Sequence, residues 1–427
     1  MNMLLLFITW LVLMFIGIPI SFSLIIAVSG YFLIHGELLI AVPQRLLAGS
    51  SNFTTLAIPF FVLAAQIMNI GGITDRIFHL AKAWVGHMRG SLGHVNVLAS
   101  IIFAGKSGSG AADVAGMGMI EMEIMIKSGF DEDFSAGISA ASATIGPVIP
   151  PSIPMVLYGS LSGASVGALF MGGYIPGFMM AASMFVLVYI YAVKRNYPVF
   201  PKATWKERFV AFKETFWALM TPVILFAGIF LGIVTPTEAA VVTVFYGFIL
   251  SAFIYRVFNM KDFMAVVLDT VETVGTIIML FAAAGLFGWT LSRAQIPQLI
   301  ASALLSISTN PLIILLIMNV FLLALGLFVE GLAALAILVP IILPVLKQTG
   351  IDPVHFGVIM VMNITIGAIT PPVGTFLFIL SNVAKMPLER VIRGALPWLV
   401  PLIIVLLICT IFPETVLFIP RLAGLME

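Results

Sequence analysis

The stretch TIGPVIPPS, residues 144–152, decides the fold, because it recurs as TIGAITPPV at residues 365–373. Five residues match at one constant offset of 221 positions, namely Thr144, Ile145, Gly146, Pro150 and Pro151. The same offset pairs Gly105 with Gly326, Gly110 with Gly331, Gly129 with Gly350 and Asp131 with Asp352. These nine matches without a gap indicate an internal duplication of the chain.

The composition places this duplicated chain in a lipid bilayer. Of its 427 residues 61% are hydrophobic and 9% charged, against about 25% charged residues in an ordinary soluble domain. A soluble globule of this size cannot hide so much apolar surface. The apolar runs are continuous rather than alternating, which excludes an outer-membrane barrel, and a net charge of +1 excludes a nucleic-acid binder. We therefore predict an all-α polytopic membrane protein.

The basic residues indicate how the two copies are oriented. The longest polar stretch, residues 194–215, holds six Lys and Arg residues, which the positive-inside rule assigns to the cytoplasm. Counting outward from this stretch predicts five crossings between the two copies of the motif. An odd number of crossings inverts one copy relative to the other, and inverted repeats are typical of secondary transporters.

Each copy contains a proline pair that breaks a helix. Residues 134–146 would span about 20 Å as a helix, less than the roughly 30 Å of a hydrocarbon core, so we expect half-helices. Prolines lack an N–H, so each pair deprives two carbonyls of their helical partners. In the first copy these are the carbonyls of Gly146 and Pro147, and in the second copy those of Gly367 and Ala368. Such oxygens must contact protein, water or a cation. Their duplication favours two Na⁺ sites, and ordinary proline kinks are the alternative.

Two glycine-rich stretches predict re-entrant hairpins that face these breaks. FAGKSGSGAADVAG, residues 103–116, has small residues that allow close backbone approach, while Ser107 and Ser109 add hydroxyl oxygens. Its counterpart LGLFVEGLAALA, residues 325–336, is less polar and carries Glu330 at the position equivalent to Ser109. The sequence therefore predicts two half-helix pairs and two re-entrant hairpins.

Carboxylates at membrane depth are further candidates for function. Asp113 and Glu330 both belong to the hairpins, and ionisable residues inside a membrane are functional candidates by default. Asp113 could equally serve as a structural partner of Lys106. Asp269 and Glu272 lie one turn apart in a helix that we expect near the cytoplasmic side, and a solvated helix face is their expected role.

Two motifs for other activities are incomplete. GKS at residues 105–107 lacks the glycine that a P-loop requires five residues before Gly105, so we expect no ATP hydrolysis by this chain. The same residues match the GxSG of intramembrane serine proteases, but His79, His87 and His94 lie around an amphipathic stretch rather than on a membrane helix. A protease is therefore the remote alternative.

These motifs, together with TPTEAA at residues 235–240, resemble the large membrane subunit of a tripartite ATP-independent periplasmic (TRAP) transporter, with the sialic-acid branch as the nearest pattern. The resemblance covers essentially the whole chain. It implies an elevator-type, Na⁺-coupled transporter of an organic acid in the bacterial inner membrane, with Na⁺ as the coupling ion and no cofactor. It also implies a small four-helix membrane subunit and a periplasmic substrate-binding protein as partners, and no ATPase subunit. A stand-alone Na⁺/carboxylate symporter is the alternative.

The resemblance also implies specific binding residues. Carried over by motif, a first sodium site would comprise Ser107, Ser109, Gly146, Ile149 and Pro151. A second sodium site would comprise Gly326, Gly367, Thr370 and Val373. The substrate would lie between the hairpin tips, near Ser109, Asp113 and Glu330. The resemblance implies no catalytic residue.

The duplication predicts how the chain is divided into scaffold and transport parts. Each transport repeat would contain one re-entrant hairpin and one broken helix. The predicted parts are residues 1–93 (N-terminal scaffold helices and an interfacial arm helix), 94–193 (first transport repeat), 194–215 (cytoplasmic connector), 216–310 (second scaffold segment), 311–395 (second transport repeat) and 396–427 (C-terminal helix).

Overall fold

All regular secondary structure in the described part of the chain is helical. The computed structural model describes residues 2–51, 53–327 and 329–426, without the side chains of Asn2, Lys106 and Ser107. No strand occurs within these ranges. In the described part of the chain, seven helices are long and apolar enough to cross a membrane, or eight if one bent pair counts as a single span. The prediction of an all-α polytopic membrane protein is confirmed.

The helices before the polar connector have the following bounds. They are α1 (Asn2–Phe15), α2 (Ile20–Ile34), α3 (Ala41–Ser50), α4 (Ala57–Ile70), α5 (Ile73–Val85), α6 (Ser91–Ser107), α7 (Gly110–Asp113), α8 (Met119–Lys127), α9 (Glu132–Ser142), α10 (Ile153–Ser162) and α11 (Val166–Arg195). A short π-helical segment, Val114–Gly118, joins α7 to α8.

The second half of the chain continues the series. Its helices are α12 (Trp205–Phe230), α13 (Pro236–Ile249), α14 (Met260–Arg293), α15 (Ile296–Ile307), α16 (Pro311–Gly326), α17 (Gly331–Thr349), α18 (Pro353–Gly367), α19 (Thr375–Ala384), α20 (Leu388–Ile411) and α21 (Glu414–Leu422). The polar stretch 194–215 is a loop only in part, because α12 begins at Trp205 behind a capping box of Thr204 and Glu207. A second capping box, Thr235 with Glu238, begins α13 where TPTEAA predicts a helix start.

The helix boundaries follow the sequence repeat. Helix α9 begins at Glu132 and α18 at Pro353, which are 221 residues apart. Helices α6, α7, α10 and α11 correspond in the same way to α16, α17, α19 and α20, each beginning within one residue of this offset. The duplication therefore extends from the short motif to the series of helices around each copy of it.

Both proline pairs interrupt a helix as predicted. Helix α9 ends at Ser142, a 3₁₀ turn covers Ala143–Ile145, and α10 begins only at Ile153. In the second copy α18 ends at Gly367 and α19 begins at Thr375. The Pro–Pro peptide bond is cis in both breaks. The half-helices α9 and α18 have 11 and 15 residues, too few to cross a core of about 30 Å alone.

The two repeats pack into one another. Helix α9 of the first repeat packs along α20, while α10 packs against α17 of the second hairpin. Helix α18 packs on α11, and α19 packs against the first hairpin. Helices α9 and α20 touch through their backbones at Gly137 and Gly394. A Cβ added to Gly137 would lie only 2.0 Å from the Gly394 carbonyl oxygen, so no side chain fits between them. This interlocking brings both hairpin tips and both breaks to the same central region.

Candidate functional site

A cavity of about 480 Å³ lies where the hairpin tips and the two breaks meet. The first tip contributes residues 108–111 and the second contributes residues 330–332. The breaks contribute residues that precede or begin the second half-helices, namely Pro147, Ile153, Pro154, Ala368, Thr375 and Phe376. Another cavity, of about 530 Å³ between α3 and α14, is lined almost wholly by apolar side chains and contains no predicted site residue.

The first hairpin tip contacts both breaks. Gly108 has a φ of +59°, and a Cβ on it would lie 2.2 Å from the Pro151 carbonyl oxygen. A Cβ on Gly110 would lie 2.3 Å from the Phe376 ring and 2.7 Å from the Ala143 carbonyl oxygen. Side chains at these two positions would collide with backbone or ring atoms, so the glycines allow the tip to sit between the breaks.

Several residues of the predicted first sodium site come together here. Ser109 caps α7, its Oγ accepting a hydrogen bond from the Ala112 N–H at 3.4 Å, and it lines the cavity. Gly146 lies beside the tip, since a Cβ on it would be 3.5 Å from the Gly110 nitrogen. Ile149 is buried with its side chain against Gly177. The side chain of Ser107 lies outside the described residues.

The carbonyls beside the first proline pair differ from each other. The Ser152 hydroxyl donates a hydrogen bond to the Pro147 carbonyl, so this oxygen has a protein partner, as in an ordinary proline kink. Among the described residues no donor reaches the Gly146 carbonyl. Gly146 is therefore the stronger candidate for a carbonyl that contacts a cation.

The second break is closed by its own hydrogen bonds. The Gly367 carbonyl accepts from the Thr370 N–H at 3.0 Å, and the Ala368 carbonyl accepts from the Phe376 N–H at 2.9 Å. Of the partners that such oxygens could have, these two carbonyls therefore contact protein, because the turn after the prolines folds back onto them. The Thr370 hydroxyl donates to the Ile366 carbonyl at 2.7 Å.

The rest of the predicted second sodium site surrounds a close glycine contact. A Cβ on Gly367 would lie 2.8 Å from the Gly326 Cα, so the second hairpin and the second half-helix touch through their backbones. Val373 is half-buried in the turn before α19 and does not line the cavity. The two breaks are thus related in position but differ in how their carbonyls are satisfied.

The structure separates the two hairpin carboxylates. Glu330 lines the cavity, and its Oε2 accepts from the Ala333 N–H at 3.0 Å as the cap of α17. Asp113 is 2% exposed and is not among the residues that line the cavity. Ser109 and Glu330 therefore share the cavity wall, while a substrate contact of Asp113 stays a prediction.

A polar stripe on α14 also lines the cavity, although the sequence predicts only a solvated helix face for Asp269 and Glu272. Asp269, Glu272, Thr273 and Thr276 are exposed and belong to the cavity wall. The Gln66 amide donates to Asp269 Oδ2 at 2.5 Å. The last three follow Asp269 by three, four and seven residues, a spacing that places all four on one face of the helix. This spacing is the sequence signal that could have identified them as one polar surface. No Lys or Arg lines this cavity among the described residues, so its charged groups are all acidic.

Comparisons with known proteins agree on one family. Residues 7–415 match the family described as "Tripartite ATP-independent periplasmic transporter, DctM component". The chain is 45% identical over 414 residues to the sialic acid TRAP transporter large permease protein SiaM of Vibrio cholerae, covering 97% of both chains.

Two further relatives and one solved structure extend this likeness. The chain is 38% identical to the sialic acid TRAP transporter permease protein SiaT of Haemophilus influenzae, over 97% of this chain and 67% of the relative. It is 40% identical to the C4-dicarboxylate TRAP transporter large permease protein DctM of Pseudomonas aeruginosa, over 89% of each. The YdaH transporter of Alcanivorax borkumensis shares the fold, with a TM-score of 0.63 over 88% of this chain and 89% of that chain at 14% identity.

Proposed function

Because this chain belongs to the family of DctM components of tripartite ATP-independent periplasmic transporters, we propose that it couples the uptake of an organic acid to the inward movement of Na⁺. It is a TRAP large permease, a multi-pass inner-membrane protein, and its relatives are transport permeases rather than enzymes. The observation that carries the proposal is the central cavity, in which both hairpin tips, both breaks and the polar face of α14 meet.

The charge of the cavity supports Na⁺ as the coupling ion. Asp269, Glu272 and Glu330 line it, and no basic side chain does so among the described residues. An anionic substrate entering such a site meets like charge, which is costly unless cations accompany it. Na⁺ bound near Ser109 and the Gly146 carbonyl would supply that positive charge.

Helix ends provide the second contribution to anion binding. The cavity is bordered by the first residues of α10, Ile153 and Pro154, and of α19, Thr375 and Phe376. The N-terminus of a helix carries partial positive charge from its unpaired N–H groups. We place the substrate carboxylate between these two helix ends, with the Thr375 hydroxyl within the same wall.

The packing of the repeats supports an elevator mechanism. Helices α9 and α20, and α10 and α17, interlock the two transport repeats, so the hairpins and broken helices would move as one body. The scaffold would comprise residues 1–93 and 216–310, and the polar stripe of α14 would be the fixed wall past which the site moves. The inverted relation of the repeats would let the site open to either side in turn.

The names of the relatives support a choice of substrate, and the family supports the partners. Since the relative with 45% identity is named for sialic acid and one with 40% identity for C4-dicarboxylates, we place sialic acid first and a C4-dicarboxylate second. A periplasmic substrate-binding protein would deliver the acid, and a small four-helix membrane subunit would complete the permease.

Uptake into proteoliposomes tests this proposal. The chain is reconstituted with its small subunit and supplied with a loaded binding protein and a panel of acids that includes sialic acid and succinate. We expect uptake that stops when external Na⁺ is replaced by K⁺ at constant pH. Undiminished uptake driven by a pH gradient alone would contradict Na⁺ coupling, and equal uptake of the free acid without a binding protein would favour the stand-alone symporter.

A further inference from the structure

A second group of polar side chains is buried inside the first transport repeat, away from the central cavity. We call Asn96, Asp113, Glu121 and Ser139 the Glu121 cluster; each is at most 2% exposed. The Asn96 amide Nδ2 donates to Glu121 Oε2 at 2.5 Å and to Ser139 Oγ at 3.0 Å. Within the described residues, Glu121 Oε1 and Asn96 Oδ1 are buried without a hydrogen-bond partner. The negative charge of Asp113 also acts on Glu121.

The second repeat shows that the fold does not need these polar groups. At the offset of 221 residues the equivalent positions are all apolar, namely Ile317, Ala334, Ile342 and Met360. The same helices, α16, α17 and α18, pack there without any buried carboxylate. Burying polar groups costs free energy unless they are satisfied, so the Glu121 cluster adds a cost that the repeat architecture itself avoids.

A polar cavity reaches Glu121 from the arm helix α5. This cavity, of about 240 Å³, lies between α5 and the first hairpin. Its wall includes Glu121 together with Asp75, His79 and Lys82 of α5. Helix α5 and the turn after it carry Arg76, Lys82 and Arg89, which the positive-inside rule assigns to the cytoplasm. The cavity therefore links Glu121 to the cytoplasmic side.

The equivalent place in the second repeat is apolar. There a cavity of about 480 Å³ contains Ile300 and Ile342, the counterparts of His79 and Glu121 at the same offset. All residues that line it are hydrophobic. Two equivalent spaces, one charged and one apolar, indicate that the charged one serves something other than packing.

We propose that Glu121 is a proton-binding site that exchanges its proton with the cytoplasm through the cavity beside α5, and that its protonation state controls the movement of the first hairpin. The proton binds to the carboxylate and gives the neutral acid, so no other reactant is needed. The proposed control of hairpin movement rests on the proposed transport function, whereas proton binding by Glu121 does not.

The geometry favours a proton over a metal ion. No group of three His, Cys, Asp or Glu side chains in the described ranges is placed to hold a metal. The Asn96 amide, in contrast, suits both protonation states of Glu121. Its Nδ2 donates to the ionised carboxylate, and after a half-turn its Oδ1 would accept from the neutral acid and from the Ser139 hydroxyl.

The surrounding charges define what else could titrate near Glu121. On the hairpin itself the neighbour is Asp113, and α5 contributes Asp75, His79 and Lys82. His79 pairs with Glu214 of α12 at 3.5 Å. Helices α6 and α9 contribute the neutral groups Asn96 and Ser139, and α19, which packs on α8, contains no titratable residue.

Ionisation of Glu121 should slow the transport cycle. An ionised Glu121 sealed inside the repeat is costly, whereas in a hydrated cavity it is tolerated. A high cytoplasmic pH would therefore hold the hairpin in the state in which the cavity is open, and would slow the cycle. Glu121→Gln is neutral at every pH and should cycle without this dependence.

Infrared difference spectroscopy tests proton binding without reference to transport. The protein, reconstituted in lipid, is titrated with pH, and the carbonyl band of protonated carboxylic acids is followed. We expect Glu121→Gln to lose part of this band. Glu123→Gln is the matched control, because Glu123 lies on the same helix, is exposed and pairs with Lys127. An unchanged band in Glu121→Gln would overturn the proposal.

Uptake at fixed external pH and varied internal pH tests the control of movement. In the wild type and in Glu123→Gln the rate should fall by up to about tenfold per pH unit once Glu121 ionises, whereas Glu121→Gln should give a flat profile. Identical pH profiles in all three proteins would contradict the proposed control even where the infrared band changes. If Glu121→Gln fails to fold, Asn96→Ile with Glu121→Ile places the residues of the second repeat in the first and serves the same comparison.

Discussion

Ser109 and Glu330 lie at equivalent positions of the two hairpins, 221 residues apart, and both side chains face the same cavity. Each caps the helix that follows it, Ser109 by accepting from the Ala112 N–H and Glu330 by accepting from the Ala333 N–H. The repeat thus conserves the capping geometry within this chain while exchanging a hydroxyl for a carboxylate. The two tips therefore present different chemistry to one site.

Removing the Ser109 hydroxyl should weaken the first sodium site. Losing one ligand oxygen costs about 1–3 kcal/mol, which corresponds to roughly a 5- to 150-fold loss of Na⁺ affinity. We expect Ser109→Ala to raise the Na⁺ concentration for half-maximal uptake, with normal expression and normal assembly with the small subunit. Ser183→Ala is the matched control, because the Ser183 hydroxyl bonds to the Met180 carbonyl on α11 outside the cavity.

Glu330→Gln changes the equivalent residue of the second hairpin without changing its capping role. The amide oxygen can still accept from the Ala333 N–H, so the cap of α17 survives while the charge is lost. We expect the apparent substrate affinity to change more than the Na⁺ dependence. If Ser109→Ala and Gly146→Val both transport with unaltered Na⁺ dependence, the first sodium site lies elsewhere.

The glycine contact at the second break should tolerate no methyl group. A Cβ on Gly367 would lie 2.8 Å from the Gly326 Cα, whereas the nearest atom to a Cβ on Gly146 is 3.3 Å away. Overpacking against backbone atoms costs about 1–3 kcal/mol. We expect Gly367→Ala to lower the Tm of the purified protein clearly more than Gly146→Ala does. Equal Tm values for the two variants would show that the second hairpin can move away from the break.

The acidic face of α14 should raise the local concentration of cations. Neutralising one exposed carboxylate in the cavity wall removes an attraction that is screened by salt. We expect Glu272→Gln to raise the Na⁺ concentration for half-maximal uptake about two- to threefold at low ionic strength, with a smaller effect at high salt. Asp262→Asn, on the same helix but outside the cavity, should leave it unchanged; an equal effect of both variants would contradict a local role.

A polar cluster at the start of α9 should make stability depend on acid pH. The Tyr197 hydroxyl donates to Asp131 Oδ2 at 2.6 Å, and Arg195 donates to the same oxygen at 2.6 Å. The Tyr197 hydrogen bond, with a contribution from Arg195, holds the pKa of Asp131 below its ordinary value. A lowered pKa in the folded state stabilises the protein above the unfolded-state pKa of about 4, and this is lost as the pH falls through the folded-state value.

Thermal unfolding across this range checks the prediction. Tyr197→Phe keeps the ring beside Phe130 but removes the hydroxyl. Because the Asp131 side chain is half-exposed, the loss of unfolding free energy in this variant at neutral pH should stay below about 1 kcal/mol. The loss should disappear as the pH falls below the folded-state pKa of Asp131. Tyr189→Phe, which removes a hydroxyl from α11, should give the wild-type profile. A stability loss in Tyr197→Phe that persists unchanged at the lowest pH would contradict an electrostatic origin of this loss.

The sequence alone determined that the chain forms membrane helices and where several of them begin and end, because these features depend on local chemistry. Continuous apolar runs require helices in a bilayer, since only helices satisfy their own backbone groups there. Prolines at 150–151 and 371–372 end the half-helices because they offer no N–H, and Thr235 with Glu238 begins α13 by satisfying the first free N–H groups. These effects act within a few residues, so a linear pattern records them.

Only the tertiary structure decided which groups meet. The Phe376 N–H reaches the Ala368 carbonyl because the turn after the prolines folds back, and Asp269 and Glu272 face the hairpin tips because α14 is rotated by its packing. Asp113 is buried and does not belong to the cavity wall, although it is four residues from Ser109. The direction of each side chain depends on how helices far apart in sequence pack together, and that packing minimises the free energy of the whole assembly of helices rather than of any one segment.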